Sequence, residues 1–230
     1  MPHRREVSRV EGFSDAVFAF AITLLVVSLE VPKTYNELLV AIRGFPEFAI
    51  CFALLFQVWW RHYRFFRTYD LEDNTVIALT AFLLFVVLFY VYPLKFLWSL
   101  PFAQLEGRRI PDDVITTAQQ PGLLAIYGAG VTAVFSILAL LYRHAYRLRE
   151  HLGLTPEETL AAKTQIYSNA TLAGWGIVSI TFAQILGRVA PHAVGIAGMI
   201  YGGIGISEWI IGKYHNKMRH QLPAAHASRR

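Results

Sequence analysis

Six apolar runs, each about as long as the ~20 residues a bilayer core requires, divide the chain at about 10–30, 45–66, 74–98, 121–145, 164–188 and 192–212. The runs are too long and too uniformly apolar for buried helices of a water-soluble domain, so the pattern predicts an all-α membrane protein with six transmembrane helices. Polar, proline-punctuated stretches separate them, and no segment reads as a separate soluble domain. The expected organisation is one six-helix domain over residues 1–230.

Basic residues set the expected orientation. If both termini lie in the cytoplasm, fifteen Lys and Arg fall on inner segments, among them Arg61, Arg64, Arg67, Arg143, Arg147 and Lys163. Six fall outside: Lys33, Arg43, Lys95, Arg108, Arg109 and Arg188. That excess favours cytoplasmic termini. Composition agrees with lipid as solvent, at 55% apolar and 16% charged residues with mean hydropathy +0.41. The net charge of +5 is scattered over several segments, which argues against a nucleic-acid stripe.

The N-terminus has a second reading as a secretory signal, His3-Arg4-Arg5 before an apolar stretch, but Ser14, Asp15 and Thr23 fit it poorly. The single cysteine, Cys51, excludes an intrachain disulfide. Thr155-Pro156-Glu157-Glu158 is a capping box that starts the fifth span's helix before the bilayer, and Gly153 is expected to end the helix before it. The stretch Asp112-Asp113-Val114-Ile115-Thr116 is expected to hold one short surface helix. Gly198-x-x-x-Gly202 reads as a site of close helix packing.

The densest chemistry lies at the mouth of the first span, in Arg9-Val10-Glu11-Gly12-Phe13-Ser14-Asp15. An arginine, a hydroxyl and a carboxylate beside lipid are costly unless they bind something. Two readings stand. Ser14-Asp15 caps the exposed amides of a helix start, or Arg9, Ser14 and Asp15 bond side chains of other helices or subunits, with Trp60, His62 and Asn74 the candidates on the same side. Farther along, Phe13, Ala16, Phe20, Leu24, Val27 and Val31 share one helical arc with Thr23 at its edge. Such a stripe serves equally for packing or for lining a pore. Trp59-Trp60-Arg61-His62-Tyr63 is either an interfacial aromatic belt or part of the site, with His62 a candidate pH sensor.

The string Arg9-x-x-x-Phe13-Ser14-Asp15, with Thr23-Leu24-Leu25 after it, resembles the signature of the endolysosomal potassium channel family. Trp59, His62, Arg67, Asp70 and Asn74 match the order and spacing of that family's segment joining its second and third helices. The resemblance implies one six-helix repeat per chain and a homotetramer in which four copies of the first helix surround the ion path. It implies a hydrophobic constriction at Phe20, Leu24 and Val27, and cation discrimination at Thr23. Phe20 stands where the family usually has isoleucine or leucine, which puts a bulkier ring at the narrow section. The motif residues Arg9, Phe13, Ser14 and Asp15, with Trp60, His62 and Asn74, are then an assembly network rather than a filter.

No Thr-Val-Gly-Tyr-Gly filter is present, and Tyr127-Gly128-Ala129-Gly130 does not substitute for it. Histidine pairs with metal-ligand spacing, a Gly-x-Ser-x-Gly and paired carboxylates at membrane depth are also lacking, so neither a metal site nor an intramembrane enzyme is expected. The expected function is passive conduction of monovalent cations, potassium preferred over sodium by a modest margin, with no cofactor. A secondary transporter with a path inside each protomer and a non-conducting scaffold are the rivals. A single-repeat chain is expected in a prokaryotic plasma membrane, as a multi-pass protein.

Overall fold

The computed structural model describes residues 7–27, 31–105, 114–190 and 200–221. Among them the structure is helical: α1 (Arg9–Val27), α2 (Tyr35–Arg43), α3 (Phe45–Tyr69), α4 (Asn74–Leu105), α5 (Gln120–Arg147), α6 (Pro156–Val189) and α7 (Gly203–Gln221). Contacts gather these into two units that divide between Gln119 and Gln120.

In the first unit, α1, α3 and α4 pack on one another. Each contributes a stripe at helical spacing: Phe18, Ala21 and Leu25 from α1, then Leu55, Val58, Phe65, Phe66 and Tyr69 from α3, then Val76, Leu83, Val87 and Val91 from α4. Local chemistry sets the boundaries. Asp70 ends α3 in a left-handed conformation (φ 50°), its N–H donating to the Phe66 carbonyl at 3.2 Å. The Asp73 carboxylate then caps α4 by accepting the Val76 N–H at 2.9 Å.

The second unit is an antiparallel pair, α5 with α6, and α7 packs along α6. Contacts between Gly128 and Gly176, Thr132 and Ala173, and Pro121 and Gly187 fix the register. The capping box is in place: Thr155 Oγ1 accepts the Glu158 N–H at 3.2 Å, and Glu158 Oε2 accepts the Thr155 N–H at 2.8 Å. With 34 residues, α6 is about 51 Å long and overhangs a ~30 Å hydrocarbon core by several turns. Glu157 and Arg219 (3.8 Å), Thr164 and His215 (2.8 Å), and Ser168 and Glu208 (2.6 Å) tie α7 to the N-terminal half of α6.

Several expectations need correction. The helix before Gly153 ends at Arg147, and Gly153 instead closes the connection to α6 with φ 60°. Residues 114–119 form turns rather than the expected surface helix, whose first two residues lie outside the described set. A helix absent from the six-run pattern, α2, precedes α3 at a bend of 42°. Gly202 has no neighbour within 4 Å that a methyl group would meet, and Gly198 lies outside the described residues; among the described residues a close backbone crossing is at Gly128 and Gly176. Three described helices are long and apolar enough to cross a membrane, or four if α2 and α3 are one bent span. In α1, Arg9, Glu11 and Asp15 crowd the first two turns. The first eight residues of the sixth run, 192–199, are outside the described set.

Candidate functional site

Helix α1 begins earlier than a cap at Ser14 requires. Ser8 Oγ accepts the Glu11 N–H at 3.1 Å, so Ser8 is the capping residue, and Ser14 and Asp15 are the sixth and seventh residues of the helix. The capping reading of Ser14-Asp15 is therefore excluded. Ser14 is fully buried and turns its hydroxyl back to the Val10 carbonyl at 2.7 Å. Asp15 reaches outward to α3, where Trp59 Nε1 donates to Asp15 Oδ1 at 2.8 Å. Rings on either side hold the indole, with Phe56 at 5.2 Å and Tyr63 at 5.3 Å between centroids.

This arrangement departs from the expected partners. Trp60, one residue beyond the indole that binds Asp15, is 45% exposed and stacks on Phe56 and Tyr63. His62 is buried against Phe18 of α1 and Phe66 (5.8 and 4.9 Å), and no hydrogen bond among the described residues reaches its Nε2. Asn74 is exposed at the first position of α4, and Arg9 and Phe13 are exposed on α1. Within one subunit, then, Asp15 joins the motif to α3 through Trp59, one turn from where His62 packs on Phe18 of α1. Reasoning from the sequence also missed Glu11, a carboxylate 4% exposed beside Ser14. The signal for it was Ser8-x-x-Glu11, a capping-box spacing one turn before the motif.

The rest of α1 has two opposed faces. Glu11, Ser14, Phe18, Ala21 and Leu25 fall within one arc of about 80° and are buried in the subunit. On the opposite side Ala16, Ala19, Phe20 and Thr23 are exposed, Phe20 at 56%. Leu24 lies half-buried on the shoulder between the faces, and the Val27 side chain is outside the described residues. Thr23 Oγ1 donates to the Ala19 carbonyl at 2.9 Å. Its hydrogen is thereby committed inward and its lone pairs face away from the helix, an arrangement that can offer oxygen to a cation and no donor to an anion. Among the described residues no group of three or more His, Cys, Asp or Glu could hold a metal ion.

Comparison with known proteins converges on one family. The family model described as endosomal/lysosomal potassium channel TMEM175 matches residues 9–90. A protein of Marivirga tractuosa described as a potassium channel is 37% identical over 190 residues, 79% of this chain and 76% of that protein. A potassium channel of Chamaesiphon minutus is 33% identical over 100 residues, 40% of this chain and 49% of its own. Among solved structures, a variant of the potassium channel MtTMEM175 in complex with a nanobody–MBP fusion superposes with TM-score 0.81 at 32% identity, covering 94% of this chain and 96% of that one. The Chamaesiphon minutus homologue, described as a lysosomal potassium-selective channel homolog, shares the fold at TM-score 0.59 and 21% identity, with 90% and 97% coverage.

Proposed function

Since this chain belongs to the endosomal/lysosomal potassium channel TMEM175 family, we propose that it is a passive potassium channel in which α1 of each subunit lines a shared central path. The observation that carries the reading is the uncovered face of α1. Phe20 and Thr23 are exposed in the subunit, and the buried arc opposite leaves that face for something outside the chain.

Four copies around one axis form a ring of Phe20, Leu24 and Val27 side chains narrow enough to gate by dewetting. Beside it, four Thr23 oxygens replace part of an ion's water shell. A single hydroxyl layer strips little water, so potassium is preferred over sodium only modestly. Because Thr23 spends its hydrogen on the Ala19 carbonyl, the layer is an acceptor ring that favours cations. Arg9, Phe13, Ser14 and Asp15, with Trp60, His62 and Asn74, serve assembly. Asp15 does so through Trp59, and the exposed Arg9, Phe13, Trp60 and Asn74 do so across subunits. Cytoplasmic termini and a prokaryotic plasma membrane complete the reading.

Purified protein in liposomes tests it. Potassium should run down its gradient without a coupled solute, and Phe20→Ala should raise the flux by widening the narrow section. Saturable uptake coupled to a second solute would instead place the path inside each protomer. Absence of flux from correctly assembled protein would leave a scaffold.

A further inference from the structure

We propose that α2 is an interfacial helix whose face of Tyr35, Leu38, Leu39 and Ile42 lies against phospholipid at the membrane edge where α3 enters. The segment is a closed helix of nine residues. Thr34 Oγ1 accepts the Glu37 N–H at 3.2 Å, Lys33 N–H donates to Glu37 Oε2 at 2.6 Å, and the Gly44 N–H closes on the Val40 carbonyl at 3.2 Å. So short a helix is marginal in water unless an apolar face is covered, yet none of its residues is buried in the chain.

The uncovered side chains are patterned. At about 100° per residue, Tyr35, Leu38, Leu39 and Ile42 occupy an arc of about 100°, while Asn36, Glu37 and Arg43 point elsewhere, with Val40 and Ala41 the two apolar residues outside the arc. All four apolar residues are more than a third exposed. Their depth follows from α3. Its far end carries Trp59, Trp60, Arg61, Tyr63, Arg64 and Arg67, an interfacial composition. Counting ~20 residues back from Arg64 reaches Gly44, so α3 fills the hydrocarbon core and α2 starts at its rim. Nine residues make a helix of about 14 Å, and at a bend of 42° it rises roughly 10 Å along the α3 axis. That rise exceeds a headgroup layer of about 5–8 Å, so Leu38, Leu39 and Ile42 lie within the layer while the first turn of α2, with Tyr35, reaches its water edge.

Charge selects the occupant. Lys33 and Arg43 are exposed at the two ends of the helix, where they meet lipid phosphates; a second copy packed face to face would set these like charges together.

Spin labels on Leu38→Cys, Leu39→Cys, Ile42→Cys, Asn36→Cys and Arg43→Cys, each in the full chain in phospholipid vesicles, read the environment directly. Cys51 is fully buried and stays unlabelled. Collisions with oxygen, which partitions into lipid, should dominate at positions 38, 39 and 42, and collisions with a water-soluble nickel chelate at 36 and 43, with a period of about 3.6 residues. Nickel dominating at all five positions would overturn the proposal in favour of a helix in water. Low collision with both agents at 38, 39 and 42, with dipolar broadening between labels, would overturn it in favour of a second copy. The pattern is independent of conduction, so it stands or falls apart from the channel reading.

Discussion

Replacing Trp59 by phenylalanine removes one donor and keeps an aromatic ring between Phe56 and Tyr63. What is lost is the 2.8 Å bond to Asp15 Oδ1, which joins the motif to α3. Side-chain hydrogen bonds in membrane proteins average ~0.6 kcal/mol and reach ~1.7, while bonds to a charged group are worth ~1.5–3 kcal/mol. The ranges meet at about 1.5 kcal/mol, roughly tenfold in an equilibrium constant. The smaller ring also vacates volume, so the single substitution costs more than the bond. A double-mutant cycle of Trp59→Phe with Asp15→Ala separates the two, since loss of ring volume appears on both of its arms. Unfolding of the purified protein should give a coupling of about 1.5 kcal/mol, and liposome flux should give an unchanged ratio of potassium to sodium. Coupling below about 0.5 kcal/mol, or an altered ion preference at intact stability, would refute the assignment of Asp15 and Trp59 to scaffolding.

Three further outcomes are expected. Gly176→Ala would place a methyl carbon 2.7 Å from the Gly128 carbonyl oxygen, and the strain should lower stability by about 1–3 kcal/mol in thermal unfolding, whereas Gly174→Ala, where nothing stands within 4 Å, should not. Thr155→Ala removes the acceptor for the Glu158 N–H and should cost about 1 kcal/mol, read as faster amide exchange in the first turn of α6. Thr23→Val keeps the shape and deletes the oxygen; reversal potentials in reconstituted bilayers should move toward equal potassium and sodium permeability, and an unchanged potential would remove Thr23 from the selective layer.

The long elements were legible because lipid-length apolar runs leave little choice of secondary structure. Expected starts at 10, 45, 74 and 121 fall within one residue of α1, α3, α4 and α5. The start of α6 was written in its capping box. By contrast, α2 was invisible to a search for ~20-residue runs, since its nine residues carry two charges. The Gly198-x-x-x-Gly202 spacing says that a helix can be approached closely, and its first glycine lies outside the described residues; the crossing that is described pairs Gly128 and Gly176, which lie on different helices and share no spacing to read. At the site, the sequence located Asp15 and its need for a partner but chose Trp60 over Trp59. Adjacent residues on a helix differ by about 100°, and which of two indoles faces α1 depends on how α3 is rotated about its axis. The stripe of Leu55, Val58, His62 and Phe65 carries that information, with Trp59 four residues after the first and three before His62.

Where α5 crosses α6, Gly128 and Gly176 let the two backbones come so near that a methyl group on either would meet the other's carbonyl oxygen. Thr132 Oγ1 pins the same place by donating to the Ala173 carbonyl at 3.2 Å. Sliding one rod along the other would drive a neighbouring side chain into backbone, while opening or closing the angle between them leaves the touching point in place. Translation of α5 along α6 is therefore resisted at a backbone rivet, and the Pro121–Gly187 contact holds the same two rods a second time near the C-terminal end of α6.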